Sequence, residues 1–455
     1  MSLATGWLYL LPPEPPVVVV QSPTGDLTQK ATLTGFKKEV KEAAKELAKK
    51  AEDYFNAGEQ DYAASRYKDA ASNYQKSVDM LPTMSAYLNL GSSLLNTASV
   101  QRAEKAYESG LKIARKKNNK NFVGAFVGNI GLIYIDRSDL DKALKYFQEA
   151  LEIDREIGNR QGEAANLGNT GLIYRIQDDL DKALKSHQEA LQIFREIGSR
   201  QGEAEQLGNI GLIYRAQGDL KAALKYHQAA RKIAQEISYR LGEAGALGNI
   251  GLIYRIQDDL DKALKFHQEA LEIFREIGYQ QGEALQLNNI GLIYRHREGL
   301  QEALKYYKKA LEIDREIGYR LGEAAVLCNI ANVYFLQDHL EAALKSHQQA
   351  REINREIGYR QGEATSLVNI GNIYLNQGKL DEALQYLQEA LDIDREIGYR
   401  QGEASALGNI GLVYAEQGKK QEALEMLNQA LVIFKKIGAK REIALVEENI
   451  KKLSE

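Results

Sequence analysis

Apolar side chains recur along most of this chain at intervals of three and four residues. Within 163–176, for example, Leu167, Thr170, Gly171 and Tyr174 fall on one face of a helix. This spacing predicts an amphipathic helix whose apolar face must be covered by another part of the protein.

A second helix is predicted to follow after a short break. The pair Asp178-Asp179 interrupts the pattern and supplies an N-cap, so that a new helix starts near Leu180. Gly198 is a residue of the kind that ends helices. The second helix also has a single apolar face, which consists of Ala183, Leu184, His187, Ala190, Leu191 and Phe194. The two helices together are predicted to form an antiparallel hairpin.

The hairpin recurs with a period of 40 residues. One asparagine marks the same position in each repeat, at Asn89, Asn129, Asn169, Asn209, Asn249, Asn289, Asn329, Asn369, Asn409 and Asn449. Because neither helix of a hairpin can bury its apolar face alone, consecutive hairpins must stack. The sequence therefore predicts an all-α solenoid of stacked antiparallel helix pairs, which builds an extended surface rather than one reaction centre.

The repeat divides the chain into four predicted segments. Residues 1–35 begin with an apolar stretch that holds four of the six prolines and the only tryptophan, and we expect it to be extended. A leading helix and two divergent hairpins occupy 36–120, eight 40-residue hairpins occupy 121–438, and a capping helix occupies 439–455. We expect residues 5–20 to dock on a repeat surface of the same molecule or of a second copy.

Composition adds little to this picture. The 59 basic and 63 acidic residues nearly balance, so net charge gives no argument for a nucleic-acid or membrane partner. The single cysteine, Cys328, cannot form an internal disulfide, which favours a reducing compartment and hence a cytoplasmic location. No apolar run approaches the roughly 18 residues that a membrane span needs.

Four small or aromatic residues of one hairpin carry a resemblance to a known family. Gly171, Tyr174, Ala183 and Ala190 have relative spacings of 0, 3, 12 and 19, which resembles the tetratricopeptide repeat signature. The match recurs in register over about residues 51–435. The 40-residue form, with asparagine two positions before the glycine, is similar to the repeats of kinesin light chains and of spindle-orientation adaptors. The resemblance implies a right-handed superhelix whose first helices line a concave peptide-binding groove.

On this resemblance, three sets of first-helix residues are candidate groove residues. The first is the asparagine row, which comprises Asn129, Asn169, Asn209, Asn249, Asn289, Asn329, Asn369 and Asn409. The second comprises the arginines Arg175, Arg215, Arg255 and Arg295. The third comprises the leucines Leu172, Leu212, Leu252 and Leu292. A specific pocket is expected where the copies diverge, around 285–376, or in the divergent N-terminal hairpins.

The chemistry of these side chains suits a peptide ligand. An asparagine amide donates and accepts at once, so a row of them could hold the backbone of an extended segment. The arginines place like charges in neighbouring hairpins, and an acidic partner or internal carboxylates should offset them. Two simpler alternatives stay open. The asparagines could bond between repeats at the edge of the groove, and the arginines could belong to an ordinary solvated or salt-bridged face.

Other residues that could indicate chemistry are better explained by packing. His187, His227, His267 and His347 stand one per hairpin, at a position where the family has a core aromatic, so we expect them to be packing residues. No glycine-rich phosphate loop, nucleophile elbow or metal motif is present, so no catalytic residue, metal ligand or cofactor is predicted. The near-constancy of the repeats argues against a nucleic-acid code.

We therefore expect a non-catalytic scaffold that binds an extended or helical segment of a protein partner, possibly an acidic one, in its groove. One alternative is a regulatory or sensor arm of a multi-component enzyme or signalling system. Another is a self-associating spacer, in which the N-terminal segment would mediate the association.

Overall fold

The structure is a computed structural model that describes residues 45–64, 66–97, 99–137 and 139–454. It contains two compact bodies: the N-terminal body ends at Ile253, and the C-terminal body begins at Tyr254. All regular secondary structure in these ranges is helical, which confirms the predicted all-α class. The expected docking segment, 5–20, lies outside the described residues, and the four-segment division of the chain stays a prediction.

Twenty-one helices follow one another in the described ranges, and we number ten consecutive pairs of them as hairpins 1 to 10. The pairs are α1 (Lys45–Ala63) with α2 (Tyr67–Met80), α3 (Met84–Leu95) with α4 (Val100–Lys116), α5 (Lys120–Asp136) with α6 (Leu140–Ile157), α7 (Arg160–Ile176) with α8 (Leu180–Glu196), α9 (Arg200–Ala216) with α10 (Leu220–Glu236), α11 (Arg240–Ile256) with α12 (Leu260–Glu276), α13 (Gln280–His296) with α14 (Leu300–Glu316), α15 (Arg320–Leu336) with α16 (Leu340–Glu356), α17 (Arg360–Asn376) with α18 (Leu380–Glu396), and α19 (Arg400–Glu416) with α20 (Lys420–Ile437). The last helix, α21 (Lys440–Ser454), has no pair.

The residues at the turns set where each helix begins and ends. In hairpin 4, the Asp179 side chain accepts a hydrogen bond from the Lys182 backbone N–H and caps α8, as predicted. Gly198, with a φ of 70°, lies in the left-handed region that ends α8. The first helix begins earlier than the expected residue 163, because the Asn159 side chain accepts from the Gly162 N–H and caps α7 there.

In hairpins 4 and 5 the two helices cross with almost no side chain between them. A Cβ added at Gly171 would lie 2.8 Å from the His187 ring, and one added at Gly211 would lie 2.8 Å from the His227 ring. Such distances are too short for a real Cβ, so the crossing requires glycine unless the ring moves. This contact confirms that the glycines and the histidines have a packing role.

An aromatic contact closes many hairpins near the turn. In hairpin 3 the rings of Tyr134 and Tyr146 stack with their centroids 5.2 Å apart, and the Lys142 ammonium lies 5.2 Å from the Tyr134 ring centroid. In hairpin 9 the rings of Tyr374 and Tyr386 stack at 5.3 Å. Offset aromatic pairs of this kind contribute about 0.5–1.5 kcal/mol beyond their buried area. They hold the two helices together at the end where the chain turns.

Consecutive hairpins pack within each body, the second helix of one against the first helix of the next. The first helices of successive hairpins also touch one another, so they are buried on most of their faces. Most second helices keep one polar face in solvent, as the helix α18 illustrates. At the C-terminal end, α21 buries Val446 completely and packs Ile443 and Ile450 against hairpin 10.

The glycine crossing makes a prediction about stability. Gly211→Leu should lower the free energy of unfolding by about 1–3 kcal/mol, because the new side chain must displace the His227 ring. Gln228→Leu in the same hairpin is the control, since residue 228 is exposed and does not lie at the crossing. Chemical denaturation should show the control at least as stable as the wild type. Equal losses for both variants would contradict the crossing argument.

Candidate functional site

The candidate asparagines lie on the first helices, two residues before the crossing position. The N-terminal body carries Asn129, Asn169, Asn209 and Asn249, and the C-terminal body carries Asn289, Asn329, Asn369 and Asn409. Asn209 is half-buried, and the other seven are at most 6% exposed. Burial of this degree places the amides between neighbouring helices rather than in open solvent.

Some of these amides join neighbouring repeats. Asn329 Nδ2 donates to Asn288 Oδ1 at 2.9 Å, which links the first helices of hairpins 7 and 8. At the equivalent position of hairpin 2, Asn89 Nδ2 donates to Glu59 Oε1 of hairpin 1 at 2.8 Å. These two bonds favour the inter-repeat alternative for the asparagines concerned.

The row is nevertheless incompletely satisfied. Five of its members keep an amide atom with no hydrogen-bond partner among the described residues, namely Asn129 Nδ2 and the Oδ1 atoms of Asn169, Asn249, Asn289 and Asn329. A buried polar atom left without a partner costs about 1–3 kcal/mol. The amides therefore keep bonding capacity that their own hairpins do not use.

The four candidate arginines are all half-buried, but their surroundings differ. Burial lowers the pKa of the Arg175 guanidinium. Arg175 also lies close enough to His187 to lower the pKa of that ring, and Arg215 and Arg255 act on His227 and His267 in the same way. Arg215, Arg255 and Arg295 each make a further interaction within the protein. A guanidinium that is desolvated without a nearby carboxylate is costly.

Most of the candidate leucines are buried in the core. Leu212, Leu252 and Leu292 are at most 5% exposed, whereas Leu172 is half-buried. Among the four, Leu172 therefore offers the most apolar surface to another molecule. It lies one turn before Arg175 on the same helix, α7.

Hairpins 8 and 9 differ from hairpins 3 to 7 and from hairpin 10 at the leucine position, where they carry Asn332 and Asn372. Asn332 is half-buried, and Asn372 is only 3% exposed. Neither amide atom of Asn372 has a hydrogen-bond partner among the described residues. The sequence change thus places an unsatisfied amide in the region where we expected a specific pocket.

The repeat histidines are buried at the hairpin crossings. Burial lowers the pKa of His187 to about 4 and that of His227 to about 3, so both rings are neutral at physiological pH. Within the described ranges, no group of three or more His, Cys, Asp or Glu side chains is arranged to hold a metal ion.

Family comparison extends this repeat pattern to most of the chain. A family model described as tetratricopeptide repeat matches residues 124–196, 203–276, 283–356 and 362–436, and a second model of the same description matches 55–119. The chain belongs to the tetratricopeptide repeat family. This confirms the resemblance seen in the sequence, and it supports a protein-interaction scaffold, since the family is generally non-catalytic. No curated protein matches the chain.

Solved structures share the tetratricopeptide repeat fold with this chain. One is a signal transduction ATPase with numerous domains and a tetratricopeptide repeat sensor from Pyrococcus horikoshii, at 17% identity and TM-score 0.55, covering 80% of this chain and 55% of that one. Another is a Rap protein complexed with competence and sporulation factor, at 15% identity and TM-score 0.53, covering 82% and 97%. A third is aspartyl phosphate phosphatase F from Bacillus subtilis, at 14% identity and TM-score 0.53, covering 77% and 94%. These likenesses show the fold alone, and they confirm the predicted solenoid of stacked helix pairs.

In the part of this tetratricopeptide repeat protein that the structure describes, no helix is both long and apolar enough to cross a bilayer.

Ion pairs lie at the junctions between hairpins. Arg155 of α6 bonds through Nε to Glu163 Oε1 of α7 at 2.8 Å, and Arg160 bonds to both Glu163 and Glu196. The Glu163 side chain is only 8% exposed, so its two arginine partners satisfy a carboxylate that is buried between the hairpins. Losing them would leave that charge buried without a partner, which is destabilising.

Sequence reasoning missed three buried aspartates at these junctions. Asp154, Asp314 and Asp394 lie near the ends of second helices and are at most 3% exposed. The same position in other hairpins holds Phe194, Phe274 and Phe434. Aligning the hairpins on their 40-residue period would have found them, because an acidic residue there replaces a core ring.

The aspartates differ in the partners that neighbouring residues supply. Asn159 Nδ2 and Asn166 Nδ2 each donate to the Asp154 carboxylate at 2.8 Å. Tyr399 and Ala406 stand at the equivalent positions beside Asp394, whose Oδ1 has no hydrogen-bond partner among the described residues. Burial raises the pKa of Asp154 to about 6. Burial, with a smaller contribution from the nearby Glu403 carboxylate, raises the pKa of Asp394 to about 7.

The raised pKa of Asp394 predicts a specific pH dependence of stability. The folded state disfavours the ionised carboxyl, so the contribution of Asp394 to stability falls as pH rises from its unfolded pKa near 3.8 to its folded pKa of about 7. The stability gained by Asp394→Asn should therefore grow over this range and level off above it. Denaturation of wild type and variant from pH 4 to pH 8 measures the difference in stability. The buried histidines, whose lowered pKa values make stability rise with pH, are the same in both proteins, so their effect cancels in the difference.

Asp154→Asn is the matched control for this experiment. Because the folded pKa of Asp154 is about 6, its pH-dependent difference should level off about one pH unit lower. A stability difference for Asp394→Asn that does not change between pH 4 and pH 8 would contradict the assignment.

Proposed function

We propose that this chain is a protein-binding scaffold that holds an extended or helical segment of a partner against its first helices. The observation that carries the proposal is the asparagine row, in which five buried amides keep an atom with no hydrogen-bond partner among the described residues. An extended segment exposes backbone N–H and C=O groups that such amides can bind. The N-terminal body offers three of these five amides and the C-terminal body offers two, so a segment could be held at several points.

The burial of the row constrains how a segment would bind. Apart from Asn209, the row asparagines are at most 6% exposed, so a bound segment has to lie directly over the first helices and open them slightly. Asn209 is half-buried and needs the least opening. We therefore place the first contact of the N-terminal body at Asn209.

Arg175 and Leu172 add chemical selectivity to this proposed surface. A carboxylate of the partner would neutralise the half-buried Arg175 guanidinium, which is desolvated in the free protein. Leu172 would offer an apolar contact one turn away on the same helix. The proposed partner is therefore a protein segment with an acidic residue next to an apolar one.

The remaining sequence-based expectations belong to the same proposal. We propose that the protein has no catalytic residues, needs no cofactor, does not bind nucleic acid and acts in the cytoplasm. Self-association through the N-terminal segment also stays a proposal, because that segment lies outside the described residues.

A regulatory or sensor arm is the second candidate function. The Pyrococcus horikoshii neighbour is described as a signal transduction ATPase with a tetratricopeptide repeat sensor. The two functions differ in what stays bound after purification. A stable enzyme partner, identified by mass spectrometry of a pull-down, would favour the sensor arm.

The asparagine row can be tested without knowing the natural partner. We would select peptides from a displayed random library on the immobilised protein and measure their affinity for Asn209→Ala. One lost hydrogen bond should weaken binding about 2- to 10-fold, since each contributes about 0.5–1.5 kcal/mol. Gln188→Ala, at an exposed position on a second helix, is the control and should bind as the wild type does. Unchanged affinity for Asn209→Ala would argue against the row as the binding surface.

The proposed acidic contact makes a separate prediction. Arg175→Gln should not lower the melting temperature, because it removes a half-buried charge that burial disfavours. It should weaken the binding of acidic library peptides and flatten the dependence of affinity on salt. Arg195→Gln is the control: it removes the same charge from an arginine that already bonds to Glu203 at 2.8 Å, so it should leave the salt dependence of affinity unchanged. An unchanged salt dependence in Arg175→Gln would leave that arginine with no part in binding.

A further inference from the structure

A small polar cavity lies between hairpin 5 and the first helix of the next hairpin. Its wall includes His227, Gly208, Ala246 and Asn249. The space open to the centre of a water molecule is about 10 Å³, which is close to the roughly 10–15 Å³ that one water needs. A drug-sized or peptide ligand cannot enter a space of this size.

The cavity exists because one residue of the repeat has become smaller. In hairpin 4 the His187 Nδ1 atom lies 2.8 Å from Gln206 Oε1, and His267 has the same 2.8 Å contact with Gln286 Oε1. The residue that would serve His227 in this way is Ala246. An alanine leaves open the volume that a glutamine side chain fills elsewhere.

The surroundings of Gly208, which lies beside the cavity, also show that a side chain is absent there. A Cβ added at Gly168 would lie 3.2 Å from the Gln206 amide, whereas a Cβ added at Gly208 meets no atom within 4 Å. The two glycines occupy equivalent positions, 40 residues apart. Their difference is explained by the change from Gln206 to Ala246.

The wall of the cavity carries polar atoms that need partners. Both ring nitrogens of His227 are buried and have no hydrogen-bond partner among the described residues, and the same holds for Asn249 Oδ1. His227 is fully buried, and Asn249 is 4% exposed. On the same wall, the Tyr239 hydroxyl donates to Glu205 Oε1 at 3.3 Å, so this side is polar as well. Dry cavities of this size are normally lined by apolar groups.

We infer that this cavity is a binding site for a single water molecule, which takes the place of the glutamine amide that contacts His187 and His267. The water donates one hydrogen to Asn249 Oδ1 and bonds to the His227 ring. A neutral imidazole has one accepting and one donating nitrogen, and a water can serve either. The junction after hairpin 5 is thus held partly through solvent, whereas the junction after hairpin 4 is held by a direct side-chain bond.

The first test is a high-resolution crystal structure of the full chain. We expect one solvent peak within hydrogen-bonding distance of both Asn249 Oδ1 and a ring nitrogen of His227. A cavity without solvent density, or with a peak that contacts neither group, would overturn the inference.

The second test replaces the water with protein atoms. Ala246→Gln should expel the solvent peak, place its amide against His227 as in hairpin 4, and raise the melting temperature. Ala246→Leu, of similar size but apolar, is the matched control and should have a lower melting temperature than Ala246→Gln, because it fills the space and leaves His227 without a partner. A leucine variant as stable as the glutamine variant would mean that the cavity has no need of a polar occupant.

The opposite substitution, from glutamine to alanine, tests whether the loss of this one side chain is enough to create a water site in another hairpin junction. Gln206→Ala should open the equivalent space beside His187 and create a new solvent peak there. Collapse of that site without solvent would contradict the inference, since the two junctions would then respond differently to the same residue. Asn249 also belongs to the asparagine row, so a water bound to its Oδ1 atom has to leave before that amide can hold a peptide. The outcomes of these tests are read without any peptide present.

Discussion

The structure depends on the close contact between a small residue of the first helix, a glycine in all hairpins except hairpin 8, and the side chain that follows sixteen residues later. It brings the two helix axes near enough for the alanines of the second helix to be buried completely, as Ala183 and Ala190 are. The ring that meets the glycine varies from His187 to Tyr307, and in hairpin 9 it is the branched Leu387. The backbone approach is therefore kept while the partner side chain changes, and the first-helix position varies only from glycine to the buried Ala331.

Much of the fold could be predicted from the sequence, because its signals are local and are repeated many times. The acidic turn residue Asp179, the terminal Gly198 and the apolar stripe of α8 each act within a few residues of one another. The start of α7 was placed too late, since its cap is Asn159 and in other repeats the same position is a tyrosine without a capping bond. A cap that varies between copies gives no periodic signal.

The candidate site was harder to predict, because its properties depend on burial between hairpins. The periodicity identifies Asn169 as a repeated polar residue but does not tell whether its amide faces solvent or the next helix. The structure shows it buried with one amide atom that has no partner among the described residues, which the pattern within one repeat does not reveal. Asp394 was overlooked for the same reason. A carboxylate in a polar helix end is unremarkable until the helix that covers it is known.

The junction residues have a consequence for how such a chain can grow by gene duplication. Asp154 and the Asn166 amide that bonds to it belong to different hairpins, as do Arg155 and Glu163. A copied segment that begins and ends at the turns carries one member of each pair and meets the other member only if its new neighbour happens to encode it. Recombination therefore preserves every hairpin while it reshuffles the interfaces. The interface at Asp394 is mismatched in this way. It has the carboxylate, but Tyr399 and Ala406 stand where Asn159 and Asn166 supply amides to Asp154.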